Sequence, residues 1–428
     1  DYRFELKDKP YFQLREEATT YHPFQSWPNL KTGIKDVFSY TANQEDHHLV
    51  AHEKNNNLVW LDVGGIARNE IQSSDGRFIY SYRYSLSTLL SEKVVAYSEA
   101  DLYEMLYNED DKMPPEFRGG FIGSFRDGYY GFKKSRGFDY SYGYIQYTSN
   151  LGDVILTMEP LIWGNTKNSI ILSNNVNPFP ALIWRKTIGK SSFTFLHGNL
   201  TAVNQDVLSG SDIYDIAEAN IANIDKYIVS HRWEITLSNK LRGAFTEMLI
   251  YGGRDVELSY LIPPTLLWSV QHNTNNSDNI LWFVESEYFP LDGLKLYNTI
   301  MIDELTTSKM FDNYMHNKWI VQGGAQYVYQ IFDYPGSINL EFTAARPWVY
   351  THQSPETSTY THYGRVLGFY PGPNTQLIYV TNRCWINTRN RVNISYEELK
   401  WGEEPEKERN DAYHFGNNPN ENYSLANP

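Results

Sequence analysis

Strict alternation of apolar and polar side chains over unusually long runs is the feature that most constrains this chain. Between Phe78 and Thr88, the residues Phe78, Tyr80, Tyr82, Tyr84 and Leu86 share one face, while Ser81, Arg83, Ser85 and Ser87 share the other. Successive side chains of a strand point to opposite faces, so this reads as a strand with one greasy and one wet side. The run Trp319–Ile331 repeats it: Trp319, Val321, Gly323, Ala325, Tyr327, Tyr329 and Ile331 alternate with Gln322, Gly324, Gln326 and Gln330. It is about twice the five or six residues of an ordinary globular strand, and that length suits a tilted crossing of a bilayer. Ile338–Ala344 and Val392–Tyr396 alternate in the same way, and Phe138, Tyr140, Tyr142 and Tyr144 read as another greasy face.

Composition fits a barrel wall. The 428 residues are 41% hydrophobic and 15% aromatic, with 34 Tyr and 11 Trp, yet the mean hydropathy is −0.52. A wall whose inner face is wet averages to polar while keeping an apolar belt, and Tyr and Trp favour its interfacial girdles. No stretch approaches the roughly 20 apolar residues of a transmembrane helix, which excludes a helical membrane protein. The single cysteine, Cys384, leaves no intrachain disulfide and no thiolate cluster. A net charge of −14 argues against nucleic-acid binding through a general basic surface. Asp1–Leu6 show no signal segment, so an exported chain is expected to have lost it.

Turn chemistry separates the runs. Asp292-Gly293 and Pro335-Gly336 sit between alternating segments, and Asp75-Gly76 precedes Phe78. Longer connections are expected around 112–117, 196–230, 306–318 and 352–377, giving short turns at one rim and long loops at the other, as in an outer-membrane barrel. The fold expected is all-β: one transmembrane antiparallel β-barrel domain over residues 1–428, of about 16 to 18 strands, with lumen-filling loops and a small helical insert. Leu89–Asn108 is the helical candidate, through Val94, Val95, Leu102, Met105 and Leu106 among acidic residues, and Ile213–Val229 is a weaker one. The stretch 397–428 reads as a polar tail, so the last one or two strands are expected to be missing.

Four stretches interrupt the alternation. Pro178 and Pro180 end any strand after Trp163-Gly164-Asn165 and Ser173-Asn174-Asn175, so the backbone there must leave the wall and enter the lumen. The others are Phe245–Pro263, Arg346–His352 and Tyr360–Gly368, the last closed by Pro371-Gly372-Pro373-Asn374. At these residues the chain resembles the Wzi-type capsule assembly family of Gram-negative outer-membrane proteins. The resembling blocks are Trp163-Gly164, Ser173-Asn174-Asn175 with Pro178-Phe179-Pro180, Glu247 with Tyr251-Gly252 and Arg254-Asp255, Asp278-Asn279, Tyr297 with Asp303, and His362-Tyr363-Gly364 through Leu367-Gly368 to Gly372-Pro373-Asn374. They span roughly residues 120 to 375. The resemblance implies a monomeric outer-membrane barrel with a small periplasmic helical element, acting as a lectin that holds capsular polysaccharide at the cell surface.

Residue chemistry leaves several functions to weigh. Glu247, Glu285, Glu287, Asp303 and Glu304 could furnish the carboxylate pair of a glycosidase, but facing acids and bases that neutralise one another inside a lumen account for them better, and no enzyme is expected. Glu247, Asp303 and Arg346 are expected to form such an ion-pair network. Trp163, Asn174, Asn175, Arg254, Trp348, Tyr350, His352, Tyr360 and His362 are the expected glycan contacts, combining stacking faces with hydrogen-bond donors. His352 and His362 match no standard metal-ligand spacing, and Asp46-His47-His48 reads as a solvated loop, so neither metal nor cofactor is expected. The partners expected are a polysaccharide, outer-membrane lipid and, as an alternative role, a surface or periplasmic protein for which the barrel is an anchor. A solute channel is the further alternative.

Overall fold

The computed structural model describes residues 50–54, 57–72, 75–90, 93–107, 126–130, 133–166, 168–173, 176–203, 221–274, 278–304, 317–331, 334–352, 355–386 and 390–402. Asp1–Leu6 and Asp46-His47-His48 lie outside them, as do residues 403–428 of the expected tail. The first strands are β1 (Val50–Lys54), β2 (Asn57–Gln72), β3 (Asp75–Leu90), β4 (Val94–Tyr107), β5 (Arg126–Tyr130), β6 (Lys133–Ser149), β7 (Gly152–Met158), β8 (Ala181–Ile188) and β9 (Ser191–Val203). The wall continues through β10 (Ile221–Ser238), β11 (Leu241–Gly252), β12 (Asn279–Leu291), β13 (Leu294–Glu304), β14 (Lys318–Ile331) and β15 (Tyr334–Ala345). A two-stranded hairpin of β16 (Thr361–His362) and β17 (Arg365–Val366) precedes β18 (Thr375–Trp385) and β19 (Arg391–Trp401).

Seventeen of these strands belong to one sheet. Strands adjacent in sequence pair antiparallel, from β2 with β3 to β18 with β19, with β4 pairing to β6 and β5 taking a short stretch of β6. The reason is the solvent: backbone N–H and C=O groups facing hydrocarbon must be paired, and strand-to-strand ladders do this along the whole wall. Connections alternate by rim. Those at 150–151, 189–190, 239–240 and 292–293 are tight turns, while 159–180, 253–278 and 346–374 open from the opposite rim. Apart from the short 73–74 and 131–132 connections, those at that second rim are long. In barrels of this kind the short turns are periplasmic and the long loops extracellular.

Tyr82, Tyr84 and Leu86 face out and are exposed, together with Leu102, Ile145, Leu156, Val284, Ile300, Leu340, Phe342 and Ile394. Their neighbours on the inner face are polar or packed: Ser81, Glu99, Gln322, Gln326, Glu341 and Thr343 are buried. The inner face closes around chain from the long loops. Gln322 Nε2 and Glu341 Oε1, on β14 and β15, bond Asn168 at 2.8 and 3.0 Å, while Arg232 on β10 lies 5.7 Å from the Trp163 ring. Strands this far apart in the sheet reach one central segment only because the sheet curls into a barrel around it.

Several expectations change. Leu89–Asn108 is no helix: β4 fills most of it, because β3 and β6 offer ladder partners on both sides and the residues alternate, Tyr97 and Glu99 inward, Ala100 and Leu102 outward. Flanking strands override a helical spacing of apolar residues here. Of Ile213–Val229, the part from Ile221 is strand β10, and the rest lies outside the described residues. Pro335-Gly336 is inside β15, paired with Gln330 and Tyr329. The stretch expected as polar tail starts as wall, since β19 runs to Trp401. Tyr142 and Tyr144 point inward, opposite to Tyr82 and Tyr84, because Tyr142 pairs with Glu99 and Tyr144 with Tyr97.

Gly324, on the inner face of β14, leaves the space that the Tyr297 ring enters, and Tyr297 there donates to Glu341 Oε2 at 2.8 Å. A Cβ at this position has to displace that ring. Gly324→Ala is therefore expected to destabilise the barrel by about 1–3 kcal/mol, the cost of overpacking, seen as a lower thermal midpoint by circular dichroism in detergent micelles.

Candidate functional site

The interruptions meet inside the barrel. Residues 159–180 and 346–374 dive from the long-loop rim and lock onto each other. Tyr350 Oη donates to the Ile170 carbonyl at 2.7 Å, and Tyr360 Oη to the Ile171 carbonyl at 2.8 Å. Ser173 N donates to the Leu367 carbonyl at 2.8 Å, and Ser173 Oγ to the Gly368 carbonyl at 2.6 Å. The Tyr350 and Tyr360 rings stack with centroids 5.2 Å apart and planes 12° from parallel. Ile170, Ile171, Leu172, Val349, Leu367 and Phe369 are buried against Met248, Phe283, Ile320 and Leu377 of the wall in one hydrophobic cluster. Each such side chain contributes about 1.5–3 kcal/mol over leaving it exposed. The main core thus occupies the lumen.

Loop 346–374 is held in an unusual backbone course. Trp348, Tyr350, Tyr363 and Asn374 have φ of 70, 69, 50 and 55°, the left-handed region that costs most side chains energy. Specific bonds offset it: Tyr350 N donates to Asp303 Oδ2 at 2.8 Å, Thr351 Oγ1 to the Trp348 carbonyl at 2.6 Å, and Asn374 N to the Arg346 carbonyl at 3.2 Å. His362, in the hairpin, accepts from Thr201 N on Nδ1 at 2.9 Å and meets Phe179 edge-on. Burial, helped by the nearby Lys226 ammonium, pushes its imidazole down to about 3. Glu159, at the plug's entry, is pushed up to about 7 by burial and by Glu99.

The expected contact residues are therefore distributed in three ways. Trp163, Trp348, Tyr350, Tyr360 and His362 are brought together and buried in the plug. Arg254 is elsewhere, at the base of loop 253–278, with two bonds to Asp278 at 3.0 and 2.6 Å that raise its already high pKa. His352 is half-buried, and Asn174 and Asn175 lie outside the described residues. Of the expected lumen ion-pair network, Asp303 holds Tyr350, Arg346 lies 5.7 Å from the Trp319 ring, and Glu247 is on the opposite face of the wall. Strand parity decides Glu247: Met248 faces inward to Tyr360, so its neighbour faces out. Inside, Arg232 pairs with Glu285 and Glu234, and Lys295 with Glu287 at 3.6 Å. The carboxylates of Glu285 and Glu287, weighed for glycoside hydrolysis, are thus engaged by cations.

Sequence reading missed a second inner surface. Tyr97 and Tyr142 both donate to the Glu99 carboxylate, with Arg83 3.4 Å from it. Tyr144 lies 6.1 Å from Tyr97 and packs toward the plug with Tyr370, whose hydroxyl reaches Glu397 of β19. These rings are partly exposed. Their signal was available: Ile145 and Tyr147 follow at the outward parity, so the even-numbered tyrosines must face in.

No protein-family model matches the sequence, and no curated protein is similar to it in sequence. Solved structures are similar in fold. One is Wzi of Escherichia coli, described as an outer-membrane protein involved in group 1 capsule assembly and a carbohydrate-binding β-barrel; it is 13% identical, covering 83% of this chain and 73% of that one with a TM-score of 0.51. The fold is that of a Gram-negative outer-membrane β-barrel. Salmonella typhi OmpF is 9% identical, over 86% of this chain and 96% of that one, with a TM-score of 0.40.

Two outcomes test the plug. Tyr350→Phe leaves the buried Ile170 carbonyl without its donor and is expected to cost about 1–3 kcal/mol, with faster amide exchange across 168–173. The pH dependence has two opposed parts. The His362 value lies below its ordinary 6.5, so its contribution is full above that pH and lost as pH falls toward about 3. The Glu159 value lies above its ordinary 4.5, so its contribution is full below 4.5 and lost as pH rises through about 7. Thermal midpoints across this range should lose their acid-side decline in His362→Gln and their neutral-side decline in Glu159→Gln.

Proposed function

We propose that this barrel binds surface polysaccharide in its lumen, beside the plug, without catalysis, and holds it there. The observation that carries the reading is the interlocked plug beside a partly exposed tyrosine surface. A rigid filler turns the lumen from a conduit into a platform. Tyr142 and Tyr144, with Tyr97 and Tyr370, offer apolar ring faces for the C–H faces of sugars and hydroxyls for their polar rims, the combination that makes tyrosine suited to half-wet surfaces. Glu99 and Arg83 add hydrogen-bonding partners for sugar hydroxyls. His352, Asn174 and Asn175 complete the proposed contact set, and Trp163, Trp348, Tyr350, Tyr360 and His362 are assigned the frame beneath it. The fold similarity to a carbohydrate-binding barrel supports this reading.

Binding requires no group that breaks a glycosidic bond, and the ion-paired carboxylates of the wall suit that. A second reading, an anchor for a surface protein assembly that binds no sugar, is favoured by the same packed plug. A solute channel would need a continuous water path past residues 159–180.

Glycan-array binding is expected for the wild type and is expected to weaken about tenfold, the equivalent of roughly 1.4 kcal/mol, in Tyr144→Ala, while Tyr350→Phe retains it. Binding to no polysaccharide would leave the anchoring role, and sugar-driven swelling of liposomes carrying the protein would make it a channel.

A further inference from the structure

Connection 253–278 does not join the plug. It folds the other way, over the outside of the wall, where it carries a 3-10 turn at Leu258–Leu261 and helix α1 (Leu267–Asn273). Its underside is pinned by polar bonds. The Glu247 carboxylate of β11 accepts Leu267 N at 2.8 Å, Trp268 N at 3.0 Å and Trp282 Nε1 at 3.2 Å. Tyr260 Oη donates to Asp278 Oδ2 at 2.6 Å, and Glu257 N to Tyr251 Oη at 3.3 Å. Tyr260 and Leu267 bury themselves against Phe195, Tyr227, Val229, Leu249 and Tyr251, all outward-facing wall residues, in a second core separate from the lumen.

The upper side of this flap is the reverse. Leu258, Ile262, Leu266 and Trp268 are 73, 55, 45 and 45% exposed, with Val256 beside them. Beside them the flap's own Asp255, His272, Asn273 and Thr274 are exposed as well. Here the wall's Glu247 and the buried His231 are hidden, and large apolar side chains are displayed. Height along the wall agrees. Tyr251 stands ten residues above Leu241 at the short-turn rim, about 25 Å for a strand tilted by roughly 40°, which is the height of an apolar barrel belt. The flap covers the upper half of that rise, and Val284, exposed on the neighbouring β12, continues the belt below it.

We infer that the 253–278 flap is seated in the outer leaflet, with Leu258, Ile262, Leu266 and Trp268 against lipid acyl chains, so that it extends the barrel's lipid-facing surface. Glu247 and His231 would otherwise meet hydrocarbon, where charged groups on the lipid face destabilise a barrel. The flap shields them and presents apolar surface in their place. A monotopic element that lies in the interface with its apolar face in the acyl region is the general form of such a contact.

Nitroxide labels test this in phosphatidylcholine vesicles. Leu258→Cys, Ile262→Cys and Leu266→Cys are made in a Cys384→Ser background, with Val284→Cys as the lipid-facing reference and Lys190→Cys, in an exposed turn, as the water-facing one. Heat-shifted migration on gels confirms that each variant is folded. Collision with oxygen, which concentrates in the bilayer, and with a neutral nickel chelate, which stays in water, is then read by electron paramagnetic resonance. The expected result is an oxygen-to-nickel ratio several-fold above that of position 190 at all three flap positions, matching position 284. A nickel accessibility equal to that of position 190 would overturn the assignment. So would low accessibility to both agents, which means a protein surface, a second copy or another chain, covers the flap.

Discussion

Everything in this protein follows from a wall that must satisfy its backbone internally. Hydrocarbon offers no hydrogen bonds, so strands spend their N–H and C=O groups on their neighbours, and a strand end such as Thr201 N turns instead to a loop side chain, His362. Once that is fixed, side chains have two destinations only. Those at one parity meet lipid and those at the other meet the lumen. A one-residue slip would exchange the two sets, and the register is therefore held along the whole sheet.

The lumen set is what gives the molecule its character. A barrel of this size could hold water, yet Ile170, Ile171, Leu172, Leu367 and Phe369 from two loops fill part of its interior and pack on Met248, Phe283 and Ile320. The stabilisation comes from burial, as in a soluble domain, but the positions are dictated by hydrogen bonds. Tyr350 and Tyr360 carry an apolar ring into the core and deliver their hydroxyls to backbone carbonyls of the facing loop. The left-handed backbone at Trp348 and Tyr350 is the local cost of aiming those rings, and Asp303 offsets part of it by accepting Tyr350 N.

The same chemistry is used twice with opposite sign. Inside, loops bring apolar residues to Met248, Phe283, Ile320 and Leu377 of an inner face whose charges are paired among themselves, as with Arg232, Glu234 and Glu285. Outside, a loop brings backbone donors to a carboxylate that the wall presents toward lipid. In both places a long connection from one rim corrects what strand parity alone would leave exposed. The tight turns of the opposite rim have no such material, and the asymmetry between the rims is thereby an asymmetry of function.

How much could be read without coordinates depended on range. The long alternations at 78–88 and 319–331 determined the all-β barrel, because a period of two is a property of the backbone and needs no partner. The prolines at 178 and 180 determined that the chain leaves the wall there. Parity in short runs was harder: Tyr142 and Tyr144 looked like lipid-facing residues until pairing with Glu99 and Tyr97 turned them inward. Val94–Tyr107 looked helical because its partners, β3 and β6, come from elsewhere in the chain. Glu247 shows the limit most plainly. Sequence placed it in a lumen ion-pair network with Asp303 and Arg346, but only the pairing of β11 with β10 and β12 decides which side of the wall it faces, and only the folded 253–278 loop supplies the donors that make its position tolerable. Local periodicity sets what a segment can be; long-range contacts set which of its two faces meets lipid.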